Sequence, residues 1–115
     1  MEYYSAWLEY ICLVEDDQPQ QKRTFDQCIV IVRARSYPQA FKKVLKLGLS
    51  QETGEYENYQ GMKVRWVLVE VVKLQRIGRT VDGKEVCSLL DVRRPRKPLA
   101  FRKQFHPERS KPILM

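Results

Sequence analysis

Residues 37–47 hold the clearest helical stripe in this chain, and the other ordered segments read as strands. One helix among several strands constrains the fold more tightly than any motif does. Tyr37, Ala40, Phe41, Val44, Leu45 and Leu47 recur at helical spacing, while Lys42, Lys43 and Lys46 face out. Ser36 is a good N-cap, and Gln39 three residues on makes a capping box. Pro38 falls in the first turn, where its missing N–H is harmless. Gly48 is placed as the C′ residue, with Leu49 packing back on the last turn.

The flanking segments have a period of two. From Tyr3 to Glu15 the even positions Tyr4, Ala6, Leu8, Tyr10, Cys12 and Val14 can line a core, and the odd positions are mixed. A polar loop, Glu15 to Gln21, leads into a second strand over about Lys22–Arg35, apolar on both faces from Cys28 to Val32. Beyond the helix, a tyrosine-rich connection from Thr53 to Gly61 enters a long strand from Met62 to about Ile77, β-branched at its centre. Asp82-Gly83 signals a two-residue hairpin, with Gly78 a candidate bulge before it and Lys84–Val92 the returning strand. The order β-β-α-β-β predicts an α+β fold: a four-stranded antiparallel sheet with one helix packed on one face.

That prediction leaves a surplus of apolar surface. A helix of eleven residues is only about 16 Å long and covers one face of four strands at best. Trp7, Ile11, Leu13, Ile29, Ile31, Val67, Val69 and Val71 would then crowd the other face, a patch that a monomer does not leave bare. A second copy, another protein, or the chain's own C-terminal arm through Leu99, Phe101 and Phe105 must cover it.

The arm stands out by charge. The 115 residues carry a formal +7, a length that suits one domain. Residues 1–92 hold 13 basic and 13 acidic side chains, whereas residues 93–115 hold eight basic ones against Glu108 alone, so the whole imbalance lies in the arm. Four of the six prolines are there too (Pro95, Pro98, Pro107 and Pro112), which biases it toward extended backbone. The chain therefore divides into a single α+β domain, 1–92, and a basic, proline-rich, extended C-terminal arm, 93–115. The first residues lack a secretory pattern and no run approaches the roughly 18 apolar residues of a membrane span. Cys12, Cys28 and Cys87 are odd in number and sit in apolar runs, which fits reduced thiols and a cytoplasmic location.

Little in the sequence supports catalysis. His106, the single histidine, lies on the arm, a poor scaffold for a nucleophilic dyad or triad. Cys12, Cys28, Cys87 and His106 have the count for a zinc site but none of the short spacings, so the cysteines read as small core hydrophobes. Glu70 interrupts the face of Val64, Trp66, Leu68 and Val72, and Glu9 does the same on the first strand. Such a carboxylate can serve as an acid or base, or simply pair near a strand end. No phosphate-binding glycine loop, His-Glu zinc motif or calcium loop is present, and no cofactor is expected. Tyr56, Tyr59 and Trp66 beside Lys63 and Arg65 could clamp single-stranded nucleic acid, or the segment could serve turn geometry alone.

Several stretches resemble a known family. Tyr4-Ser5-Ala6, Ala34-x-Ser36-x-x-x-Ala40, Tyr56-x-Asn58-x-x-Gly61-x-x-Val64-Arg65-Trp66 and Val69-Glu70-Val71 look like a family of small bacterial proteins known only as a domain of unknown function. The resemblance spans about residues 3–90. It implies a compact α+β domain with no established activity, and the arm after Val92 departs from its pattern.

The leading expectation is a non-enzymatic binding or accessory protein. Its arm would dock on an acidic protein surface or larger protein assembly, with Arg93, Arg94, Arg96, Lys97, Arg102 and Lys103 supplying charge and Phe101 and Phe105 the anchors. The apolar sheet face would contribute to the contact or hold a homodimer together. The alternatives are a nucleic-acid-binding protein using the arm with Lys63, Arg65 and Tyr59, and an enzyme centred on Glu70.

Overall fold

The computed structural model describes residues 1–15, 22–80 and 88–115. The Asp82-Gly83 turn, Cys87 and most of the loop after Glu15 lie outside the described residues. The elements are β1 (Glu2–Val14), β2 (Arg23–Ala34), α1 (Tyr37–Ser50), β3 (Tyr56–Glu57), β4 (Lys63–Gly78), β5 (Ser88–Arg93), a single 3₁₀ turn (Pro107–Arg109) and β6 (Ile113–Leu114). The fold is α+β, with its long strands antiparallel and α1 on one face of the sheet.

β1 is central, paired with β2 on one side and β4 on the other, and the strands run in the order β3-β4-β1-β2-β5. Among the described residues, β4 and the returning strand β5 do not pair with each other. β5 pairs with β2, from Arg23 opposite Arg93 to Cys28 opposite Ser88, at the other edge of the sheet. The reason is occupancy. The outer edge of β4 is already taken by β3, by residues of the loop after α1, and by the end of the arm, where β6 pairs in parallel with Lys73 and Leu74. That leaves β2 as the open edge for β5.

On the helix face, Ala6, Leu8, Tyr10, Val44, Leu68, Val71 and Leu74 form the main buried cluster. α1 begins as its cap predicts: Ser36 Oγ accepts the Gln39 N–H at 3.3 Å. The Gln39 side chain reaches back one residue further than a standard box, accepting the Arg35 N–H at 2.7 Å. The helix does not stop at Leu47. It runs on to Ser50, so Gly48 lies inside it and Leu49 points outward, exposed. Gly48 is there because of its neighbours: a Cβ would stand 2.9 Å from Leu68 Cδ2 and 3.3 Å from Leu8 Cδ1.

β4 departs from strict alternation. Its register against β1 slips at three places, next to Glu9, next to Trp7 and next to Tyr3. Each slip inserts an extra residue, as a β-bulge does. Gly78, at φ 117°, lies at the third slip, in a conformation that glycine tolerates without a Cβ penalty. The first slip corrects the reading of Glu70. After it Val71 rather than Val72 faces the helix and is fully buried, and Glu70 lands on the opposite face, across from Glu9. Val71 accordingly leaves the set expected on the second face.

That second face is closed over half its length by the chain's own arm. Ile11, Leu13, Phe25, Val67 and Leu99 form a second buried cluster, with Val69, Phe101 and Phe105 packed against it. The arm is therefore a strap rather than a free extension.

Candidate functional site

The strap leaves the end of β5, crosses the second face, rounds the edge of β4 and ends beside α1. Three sets of bonds hold it. Arg23, buried to 2% exposure, donates from Nη2 to the Leu99 carbonyl at 3.0 Å. Arg65 donates from Nε and Nη2 to the Phe101 carbonyl at 3.0 and 2.8 Å, and from Nη2 to the Lys103 carbonyl at 2.7 Å. At the β4 edge the bulge leaves the Val71 N–H facing outward, and Ser110 Oγ accepts it at 3.0 Å. Met115 then exchanges backbone bonds with Leu74 and Arg76, and its oxygen accepts from Tyr37 Oη at 2.6 Å. Unpaired strand edges invite association, and this one is covered.

The strap and the sheet enclose a cleft of about 760 Å³. Its floor carries Glu9, Val69 and Glu70 from the central strands, and Phe25 from β2. Glu9 is 7% exposed, an unusual place for a carboxylate. Arg93 Nη2 reaches its Oε1 at 2.6 Å, and Gln27 Nε2 lies at 3.5 Å. The Arg93 guanidinium also lies over the Phe25 ring, 3.9 Å from its centroid. A buried charge needs this kind of pairing to persist. Glu70, by contrast, is exposed. It does not sit among the apolar side chains of the helix face, so the setting that suggested an acid or base is not the one it occupies.

The other expected partner-binding residues divide into two groups. Phe101 and Phe105 are half-buried against the chain's own second face. Phe101 additionally has the Arg65 and Arg102 guanidinium carbons 5.6 and 5.1 Å from its ring centroid, and Arg102 is ion-paired with Glu55. Arg94, Arg96, Lys97 and Lys103 are exposed along the cleft. The strap thus keeps its aromatic side inward and turns Arg94, Arg96, Lys97 and Lys103 outward along the cleft.

The residues expected for nucleic acid are not gathered into one clamp. The Arg65 fork is occupied by the strap carbonyls, and Tyr59 projects to solvent at 96% exposure. The segment around it serves the turn into β4: Asn58 Oδ1 accepts the N–H groups of Gln60 and Met62, and Gly61 has φ 77°. His106 is exposed, with Nδ1 3.2 Å from Glu108 Oε1. Cys28 is paired with Leu8, four residues from Cys12 along β1, about 13 Å at strand rise. Among the described residues no three His, Cys, Asp or Glu side chains cluster to hold a metal ion, and no helix is long and apolar enough to cross a membrane.

Beyond the strap the second face stays open. Trp7 is 42% exposed there, beside Ser5, Ile29, Ile31 and Ile77 in a groove of about 370 Å³. Lys73 Nζ lies 5.7 Å from the Trp7 ring centroid, and Arg33 lies 5.4 Å from that of Tyr3. Sequence reasoning identified the strap's cations but missed Arg23 and Arg65 as its clasps. Arg65, set between Val64 and Trp66, shows a local sign of such a role without saying what it will hold, and Arg23, between Lys22 and Thr24 at the start of β2, shows none.

Residues 3–88 match the family model described as a domain of unknown function, DUF4288. No curated protein and no solved structure matches the chain. The match ends at the first residue of β5, so the strap and its eight basic side chains lie beyond it.

Proposed function

The chain belongs to the DUF4288 family, a domain of unknown function, and for it we propose binding rather than catalysis: a non-enzymatic accessory module that docks an acidic protein surface on the strapped side of its sheet. One observation carries this reading. Arg94, Arg96, Lys97 and Lys103 are displayed on a segment whose path is held by buried Leu99 and Pro107 and by the Arg23 and Arg65 clasps. Cations on a pre-ordered segment bind with less entropy to lose than cations on a free tail. The neighbouring open half-face, with Trp7 at its centre, supplies the apolar component that anchors an interface. Cys12, Cys28 and Cys87 are odd in number and lie in apolar runs, which suits a reducing compartment, and we place the protein in the cytoplasm.

The test must spare the strap's inner side, because deleting residues 93–115 would bare Ile11, Leu13, Phe25 and Val67. Full-length protein and the R94E/R96E/K97E variant are used for affinity purification from native cells, with and without nuclease. The purified partner's acidic surface is then titrated against both. The docking reading expects nuclease-resistant capture and an affinity at least about tenfold weaker for the variant. Equal affinities would sink it, and capture abolished by nuclease would transfer the assignment to nucleic acid.

A further inference from the structure

We propose that the cleft between strap and sheet is a binding site for a small amphipathic anion, an organic acid with an apolar body. The volume suits it: about 760 Å³ falls within the roughly 300–1,000 Å³ of small-molecule sites. The apolar body has walls to meet, since Phe25, Val69, Leu99 and Phe105 all line the space. Charge selects the sign of the ligand. Glu9 is already paired with Arg93 at 2.6 Å, so among the described side chains that line the cleft Glu70 is the exposed carboxylate facing Arg94, Arg96, Lys97 and Lys103. The cavity therefore carries a net positive mouth, with apolar walls beside the two floor carboxylates. Its roof is the strap, pinned at Leu99 by Arg23 and at Phe101 by Arg65, so the space exists before any ligand enters. Arg93 is stacked on Phe25 and bonded to Glu9. It fixes the inner end and is not the group that meets the anion.

The test uses anilinonaphthalene sulfonate as an anionic probe and N-phenylnaphthylamine as its neutral counterpart, titrated into the full chain. Fluorescence gives affinity and stoichiometry, and methyl NMR gives location. The site predicts one probe per chain, with shifts at the Val69 and Leu99 methyls and none at Ile29 and Ile31. R96E/K97E, which reverses two charges, should weaken the sulfonate by at least about tenfold, and E70Q, which removes one, should tighten it about threefold, as solvent-screened charges imply. The neutral probe should respond to neither change. Shifts centred on Ile29 and Ile31, several probes per chain, or equal affinity in R96E/K97E would overturn the site. So would a chain that sediments as a dimer and is split by the probe, because a second copy would then fill the cleft. The inference stands apart from partner docking. A chain that captures its partner but not the probe loses this site alone, and one that binds the probe but captures nothing loses the docking reading alone.

Discussion

Tyr10 joins the sheet to the helix through one hydroxyl. It is buried, and its Oη donates to the Gly48 carbonyl at 2.8 Å. Glycine suits position 48 for another reason, because a Cβ there would stand 2.9 Å from Leu68 Cδ2 and 3.3 Å from Leu8 Cδ1, while meeting the Tyr10 oxygen at an ordinary 3.4 Å. Burial pushes the Tyr10 phenol well above its usual range, with the negative charges that Cys28, Glu52 and Asp26 can carry adding to the shift. The sign of the linkage follows. A group whose folded pKa is raised contributes stability that is whole below the unfolded pKa, near 10 for tyrosine, and is lost as pH rises beyond it. Tyr10→Phe should therefore cost about 1 kcal/mol near pH 8, and the gap to wild type should narrow as pH climbs above about 10. Urea midpoints from pH 8 to pH 11 check this. A gap that widens with pH would refute it. The sequence placed Tyr10 on the core side of β1 but carried no sign of its partner, which lies 38 residues away.

At the scale of elements, β4 is the strand that the rest of the fold adapts to. Its three slips decide which side chains face α1, and the outward Val71 N–H created at the first becomes a docking point for Ser110. The period-two pattern located this strand almost to its ends yet misassigned Glu70, Val71 and Val72. Alternation predicts the face of a residue only while every residue pairs, and a bulge leaves no compositional mark of its own. The strap depends on Arg65 in a similar way. Arg65→Ala removes its donors to the Phe101 and Lys103 carbonyls and should cost about 1–3 kcal/mol. Arg65→Lys should recover little of it, since an ammonium cannot reproduce the planar fork. Hydrogen exchange at Val71 and Lys103 should quicken in both variants while β1 exchange lags behind. Unchanged protection at those two amides would mean that the strap does not need its clasp.

For the whole molecule, the strap is part of the core. Leu99→Ala should destabilise by about 2–4 kcal/mol, the range for a buried leucine. A chain ending at Val92 should lose more, because Ile11, Leu13, Phe25 and Val67 would all meet water. It would also lose the entire +7, and with it the charge that opposes association. Sedimentation and thermal unfolding should show aggregation or a sharply lowered midpoint. A monomeric truncated chain of normal stability would show that the strap only rests on the domain.

Composition and local periodicity were enough to specify the single helix, the strand-rich architecture, the presence of apolar residues on two faces and the confinement of excess charge to the last 23 residues. These are near-neighbour properties: capping, spacing and propensity act over a few residues. Strand order, the bulges, the Glu9–Arg93 pair and the identity of the second face's cover came from contacts across long separations, 84 residues between Glu9 and Arg93 and 76 between Arg23 and Leu99. A basic, aromatic-studded arm releases much the same free energy whether its phenylalanines bury on its own domain or on another. Its covalent tether raises the local concentration of its own surface. In this protein the aromatic side of the arm is folded inward, the face it needs lies within reach, and its exposed cations are what remains for a partner.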